Sequence, residues 1–360
     1  MNNHYDVDRR GFLSAGAGAA AAALINPHAT EAAPSKPRVA VGRGGVKMEP
    51  DKAAYIRLKA ALDKHGGFAE LVKGKRVLVK INATDKTSQD ANTSISTTAA
   101  TLRLIRENEA KNVVVLGQEW YGYDCPRKGR PTLREIIKKE GAELKELTHW
   151  WLKTNDYVKR VPKGGGWKEY WVAKDIFEPD TVLINVARLK THHFTIYTGC
   201  VKNCIGLTYH MYAHHCTDDK NPKAGASDKH PARMAGWKLF PAKLSAAYHE
   251  VFQPRLALNI LDADEPTYGW GGPKPERIHT FKAGVVAVST DALAVDAFGA
   301  QLLHEDRPKV IPTALADWTV GDSVYVKANL TQGNYLAECH KLGAGQGDLG
   351  KIQIDEVSID

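Results

Sequence analysis

The sequence predicts an α/β protein with a mostly parallel β-sheet, helices on both of its faces and a β-hairpin insertion. Short apolar or β-branched runs alternate with segments of helical periodicity over most of the chain, which is typical of parallel sheets. Several runs end at or just before a polar residue, and open α/β sheets bind ligands at the carboxyl ends of their strands. We therefore expect one shared edge to carry these residues: Asn82, Glu119, Asn185, Asp262 and Asp291.

The first half of the chain alternates strands and helices. Ser, Thr, Asp and Asn are frequent from Asp85 to Thr98, and the last hydroxyls of this segment can cap a helix. Gly66 ends the predicted helix at His65, and Gly141 ends the predicted helix at Glu140. In chain order the predicted elements are strand Arg38–Gly42, helix Asp51–His65, strand Arg76–Ile81, helix Ala99–Glu109, strand Asn112–Leu116, helix Thr132–Glu140 and strand Glu143–Leu147.

The second half begins with a predicted hairpin, in which Gly164–Gly166 joins two short strands. Asp291 is placed to cap the helix that follows it. The tail, residues 304–360, is predicted to be irregular apart from a last strand near Lys351–Val357. The other predicted elements are hairpin strands Tyr157–Pro162 and Lys168–Val172, strand Val182–Val186, helix Ala242–Phe252, strand Leu256–Leu261, strand Ala283–Ser289 and a helix through Leu303.

Length and charge limit the classes of protein. The chain has 360 residues and a formal net charge of +8, and we interpret residues 34–360 as a single α/β domain. Lysine and arginine are spread along the chain, and no zinc-finger or RNA-binding signature occurs, so we expect no nucleic-acid partner. A small anionic ligand explains the basic balance, and so does solubility alone.

The N-terminus resembles a twin-arginine export signal. Arg9-Arg10 is followed by Phe12-Leu13, a weakly apolar Ala/Gly-rich run and small residues suited to cleavage. We predict a signal peptide over residues 1–33, the twin-arginine export machinery as a partner, and a periplasmic or secreted protein that is exported folded. A flexible Ala-rich leader is the alternative. No run is long enough to predict a stable transmembrane segment.

The five cysteines do not form an iron–sulfur motif. An odd number leaves at least one thiol unpaired within the chain. No C-x-x-C spacing occurs, so we expect no self-contained iron–sulfur cluster.

The stretch Val182–Leu207 carries the strongest functional signal. After its apolar start it contains Lys190, His192 and His193, and then Lys202 and Asn203 between two glycines. Glycines let a backbone approach a ligand, lysine can hold an anion or form a covalent adduct, and histidine can transfer a proton. A solvated lysine on a turn and a structural histidine are the alternatives.

A metal site is a second possibility. His210 and His214 would share one face of a helix, and with Cys200 and Cys204 they could form a soft-ligand site for nickel, zinc or copper. The alternative is a polar loop near the cleft.

Four motifs together resemble the bacterial and archaeal family called domain of unknown function 362. The resemblance spans Arg38 to Leu303, with the remaining tail as an extension. Many relatives carry an added ferredoxin module, whose cysteines this chain lacks. The motifs, in family order, are VLVKIN (Val77–Asn82), TVLINVARLKTHHFTIYTGCVKNCIG (Thr181–Gly206), LALNILDADEPTYGWGGP (Leu256–Pro273) and GVVAVSTDALAVDAFGAQLL (Gly284–Leu303).

The arrangement of a strand, His192 and a Gly-flanked Lys202 ten residues later is similar to nickel-pincer lactate racemases. In those enzymes the lysine holds a pyridinium-derived nickel cofactor and the histidine moves a proton at the substrate's α-carbon. The resemblance implies that Lys202 is an anchor and that His192 is an acid/base.

We therefore predict an enzyme that acts on a small anionic substrate, either an isomerase of the racemase or epimerase kind or a cofactor-dependent redox enzyme. A non-catalytic periplasmic protein that binds a metal or small ligand is the alternative. The predicted catalytic residues are His192 and Lys202, and the predicted binding residues are Asn82, Lys190, Asn203 and Asp262.

Overall fold

The computed structural model describes residues 36–118, 121–148, 152, 155–161, 170–192, 196–209, 240–268, 279–304 and 335–360. Pro34–Asp360 forms one compact unit. Among the described residues no helix is long and apolar enough to span a bilayer.

One ten-stranded sheet runs through the described residues, and a separate two-stranded sheet lies beside it. The main path has the order β12-β1-β11-β9-β7-β2-β3-β4, while β8 pairs with β7 and β10 pairs with β9. The strands are β1 Arg38–Gly44, β2 Arg76–Ile81, β3 Asn112–Gln118, β4 Glu143–Leu147, β5 Tyr157–Arg160, β6 Tyr170–Ala173, β7 Thr181–His192, β8 Ile196–Thr198, β9 Leu256–Tyr268, β10 His279–Thr280, β11 Val285–Ser289 and β12 Gln353–Ile359.

Helices cover both faces of this sheet. The helices α1 to α4 pack on one face, and α5 to α8 pack on the other. They are α1 Pro50–His65, α2 Phe68–Val72, α3 Ile95–Glu107, α4 Leu133–Lys139, α5 Cys200–Asn203, α6 at residues 240–252 with a π-turn at Tyr248–Phe252, α7 Ala292–His304 and α8 Tyr335–Lys341.

Side-chain caps set where several helices begin. Ser94 accepts a hydrogen bond from the N–H of Thr97, so α3 starts four residues earlier than its apolar pattern predicted. Thr132 and Glu135 form a capping box at the start of α4. Asp291 accepts from the N–H groups of two residues in the first turn of α7, as the sequence predicted.

The predicted sheet type is confirmed. Strands β9, β7, β2, β3 and β4 are mutually parallel. The predicted hairpin is also present, because β5 and β6 pair antiparallel in their own sheet.

Two predicted strand ends were wrong. β7 continues past Val186 to His192, and β9 continues past Leu261 to Tyr268. Polar residues interrupt the apolar pattern in both strands. The strands continue because neighbouring strands still pair with their backbones there, Lys190 with Thr198 and Arg188 with Asp262. Asn185 and Asp262 are therefore inside the sheet and do not mark strand ends.

The prediction of one shared polar edge was also partly wrong. β11 runs antiparallel to β9, with Ser289 opposite Asn259 and Val285 opposite Ala263. Asp291, which follows β11, therefore lies at the edge opposite to Asn82. Glu119 lies outside the described residues.

The C-terminal extension is more regular than predicted where it is described. α8 packs in the core, and β12 pairs in parallel with β1 over seven residues. The predicted last strand near Lys351–Val357 is thus confirmed, while a wholly irregular 304–360 is not.

Candidate functional site

Lys190 and Asn82 meet just beyond the end of β2. The Lys190 amine donates to Oδ1 of Asn82 at 3.1 Å and to the carbonyl of Ala91 at 2.5 Å. Only 1% of Lys190 is exposed, and Asn82 is also buried. β7 carries Lys190 to this position because the strand extends beyond its partner β2.

Several cations surround the Lys190 amine. Burial holds the pKa of Lys190 well below its ordinary value, and the nearby charges of Lys202, Arg188 and Lys80 lower it further, while Asp85 acts in the opposite direction. Like charges in a poorly solvated place repel each other strongly. An anion bound near this amine would relieve that repulsion.

Lys202 and Asn203 lie on α5, the short turn of helix that follows β8. Lys202 is 7% exposed, so it does not point into bulk solvent. The Asn203 amide donates to Oδ1 of Asn185 at 2.8 Å and to the carbonyl of Val186 at 3.2 Å, which ties α5 to β7. These bonds bring the predicted residues Lys190, Lys202 and Asn203 into one region with Asn82.

Lys80 is a further buried cation that the sequence reasoning did not single out. Its amine donates to the Ile81 carbonyl and to Oδ1 of Asn203 at 3.3 Å. Burial lowers the pKa of Lys80 to about 8. The signal was present in the sequence, because Lys80 is the one charged residue inside the apolar run Val77–Ile81.

Asp262 and Arg188 form a buried ion pair at 3.1 Å. Asp262 also accepts from the N–H of Ser94 at 2.7 Å and from the Thr97 hydroxyl at 3.0 Å. These bonds hold the start of α3 against β7 and β9. They give Asp262 a structural role, and its predicted contact with a ligand stays a prediction.

The backbone of His192 ends β7 and pairs with Ile196. Its side chain lies outside the described part of the structure, as does His193. The proton-transfer role of His192 therefore stays a prediction.

The predicted metal site is described only in part. His210 and His214 lie outside the described residues. Cys200 and Cys204 are completely buried, and burial raises the pKa of both thiols, which opposes the thiolate form that binds metals. In the part of the chain that the structure describes, no group of three or more His, Cys, Asp or Glu residues could hold a metal ion. The predicted site of Cys200, Cys204, His210 and His214 therefore stays a prediction.

The described geometry suits anion binding. Lys80, Lys190 and Lys202 supply positive charge with little water around it, and Asn82 and Asn203 supply amide groups beside them. Lysine ammonium groups bind carboxylates and phosphates as point charges. A lysine whose pKa lies near 8 can also exchange a proton close to neutral pH.

A crystal structure of a protein from Thermotoga maritima shares 14% sequence identity with this chain, at a TM-score of 0.37. The alignment covers 69% of this chain, which spans 57% of that protein's length. No curated protein matches the sequence.

The family comparison covers most of the sheet. The model of "Domain of unknown function (DUF362)" matches residues 77–301, which include all of β2 except Arg76, the strands from β3 to β11, and the lysine cluster formed by Lys80, Lys190 and Lys202. The match spans more than half of the 360 residues, so this chain belongs to the DUF362 family.

Proposed function

We propose that this protein is an enzyme that binds a small anionic substrate beside Lys190, at the carboxyl ends of β2 and β7. The observation that supports the proposal is the burial of Lys190 among the charges of Lys202, Lys80 and Arg188. Each of these neighbouring charges disfavours the charged form of Lys190, and a bound anion would favour it. A carboxylate or phosphate would be attracted to this position and would be held against Lys190 and Lys202.

The proposed chemistry is proton transfer on the bound anion. Lys202 would hold the substrate and His192 would move the proton, as the sequence suggested. The structure adds Lys80, because an amine with a pKa of about 8 is partly neutral near physiological pH and can accept a proton. A racemase or epimerase reaction at a carbon next to a carboxylate needs these two capabilities.

Binding is tested with a panel of small anions, namely phosphate, sulfate, glycolate, L-lactate and pyruvate, by isothermal titration calorimetry. We expect at least one to bind, and Lys190→Met and Lys202→Met each to weaken it about tenfold or more. Lys59→Met is the matched control, because Lys59 is exposed on α1 and forms a surface salt bridge with Asp63. No binding by the wild type, or equal weakening by the control, would contradict the anion site.

Catalysis is tested separately with glycolate and L-lactate, the two anions of the panel that carry a hydrogen on the carbon next to the carboxylate. Proton NMR in D₂O should show deuterium replacing the hydrogen on the carbon next to the carboxylate, and His192→Ala and Lys202→Ala should abolish this exchange. Binding without exchange would favour the alternative, a protein that only captures the anion.

We also propose that the protein is exported through the twin-arginine route. The support is the sequence Arg9-Arg10 with Phe12-Leu13, followed by the Ala/Gly-rich run. Export in the folded state would let the buried lysine cluster form before the protein leaves the cytoplasm.

A further inference from the structure

Asp296 is a completely buried carboxylate on α7, which packs in the same core cluster as α5. It accepts hydrogen bonds from the N–H of Cys200 at 2.5 Å and from the N–H of Val201 at 2.9 Å. These are the first two amides of α5, which have no partner within the helix itself. Asp296 therefore caps α5 from a distant part of the chain.

Gly199 shows how closely this cap is fitted. A Cβ at position 199 would lie 2.2 Å from Oδ1 of Asp296 and 2.3 Å from the Tyr197 hydroxyl oxygen. Both distances are far below van der Waals contact. Glycine at 199 thus lets the carboxylate reach the two amides.

The hydroxyl groups of Tyr197 and Tyr335 lie at the limit of hydrogen bonding from the same carboxylate, at 3.4 and 3.5 Å. Burial raises the pKa of Asp296 to about 7, and the N–H groups of Val201 and Cys200 oppose that rise. No lysine, arginine or histidine among the described residues forms a salt bridge with it. The two backbone amides are therefore its main stabilising partners, and the contact restrains both α5 and α7.

Resting on the proposed function, we propose that Asp296 is a positioning residue, which fixes α5 so that Lys202 and Asn203 are held at the anion site. Both follow directly after the two amides that Asp296 binds. The Asn203 N–H donates to the Gly199 carbonyl at 3.0 Å, which closes the same turn. One turn of helix is too short to be stable alone, so its geometry depends on such outside contacts.

The test uses Asp296→Asn in the full-length protein. The amide keeps the shape of the side chain but can accept from only one of the two N–H groups. We expect hydrogen exchange at the Cys200 and Val201 amides to speed up at least tenfold, and acetylation of the buried Lys202 by a pulse of acetic anhydride to increase. The affinity for the anion that binds the wild type should fall about five- to tenfold.

Two further variants separate positioning from general stability. Leu302→Ala removes a buried side chain about two-thirds of a turn around α7 from Asp296 and should destabilise the protein without these local changes. Gly199→Ala displaces the carboxylate sterically and should reproduce the effects of Asp296→Asn, which keeps the test informative if that variant does not fold.

The outcomes distinguish this inference from the proposed function. Equal exchange and labelling in Asp296→Asn and Leu302→Ala, at matched stability, would overturn the positioning role. Faster local exchange and greater Lys202 labelling in a protein whose wild type binds no tested anion would support the positioning of Lys202 while overturning the anion site.

Discussion

The amine of Lys190 lies 3.1 Å from Oδ1 of Asn82, and this bond joins the extended end of β7 to the residue that follows β2. Both side chains are buried, so the contact is made with little water around it. The acceptor in this contact is a neutral amide oxygen, and burial holds the pKa of Lys190 well below its ordinary value.

Asn82→Asp should place a negative charge within hydrogen-bond distance of the Lys190 amine. The carboxylate would raise the pKa of Lys190 and stabilise the fold without a ligand by about 1.5–3 kcal/mol, the usual range for hydrogen bonds to charged groups. The same carboxylate would compete with the anion, so anion affinity should fall. Urea unfolding and calorimetric titration measure the two effects, and a less stable variant with unchanged affinity would contradict this expectation.

Lys80 should make stability depend on pH. Its pKa is about 8 in the folded protein and 10.5 for an ordinary lysine, so between these values the unfolded chain binds more protons. The free energy of unfolding should therefore rise with pH from about 8 to about 10.5. Urea unfolding at several pH values should show a smaller slope for Lys80→Met than for the wild type. An unchanged slope would show that Lys80 does not titrate in this window.

Anion binding should carry the opposite dependence on pH. A bound anion favours the charged amine, so binding near pH 8 should take up protons and weaken as pH rises further. Calorimetry in buffers of different ionisation enthalpy measures this uptake. The same enthalpy in all buffers would mean that no protons are exchanged.

Gly206→Ala should disturb Lys80 directly. A Cβ at position 206 would lie 2.7 Å from Cε of Lys80 and 2.8 Å from its amine nitrogen. We expect the free energy of unfolding to fall by about 1–3 kcal/mol, which is typical of overpacking. The cost in stability of Gly206→Ala should be different when it is introduced into Lys80→Met, because the side chain that the new methyl group crowds has changed. Additive effects in urea unfolding would show that the two residues do not interact.

Changing Arg9 and Arg10 to lysine should retain the protein in the cytoplasm. Lysine preserves the positive charge, so a leader that needs only this charge would still work. Recognition of a twin-arginine pair by the export machinery would be lost. Cell fractionation and immunoblotting of the two forms in the native host measure the result. Unchanged localisation of the double variant in the envelope would contradict the export proposal.

Much of the fold could be predicted because local patterns fixed it. Helix α1 was expected over Asp51–His65 and is present at Pro50–His65, and the hairpin strands and the cap at Asp291 were found where the sequence placed them. The patterns failed where a polar residue was taken to end a strand. Asn185 is such a residue, and its amide is instead bonded to Asn259 at 3.1 Å inside the sheet.

By itself the sequence determined the mostly parallel α/β architecture. It also placed Lys190, Lys202 and Asn203 in one polar stretch, with glycines on both sides of Lys202 and Asn203. The direction of β11, which puts Asp291 at the far edge, was decided only by tertiary pairing. Tertiary structure also decided the burial of Lys80 and the cap that Asp296 provides, because Lys80 contacts Asn203 and Asp296 contacts Cys200, residues far away in the sequence. The periodicity of a sequence shows only which residues along the chain are apolar. The pKa of a lysine depends on the charges and the solvent that folding brings around it.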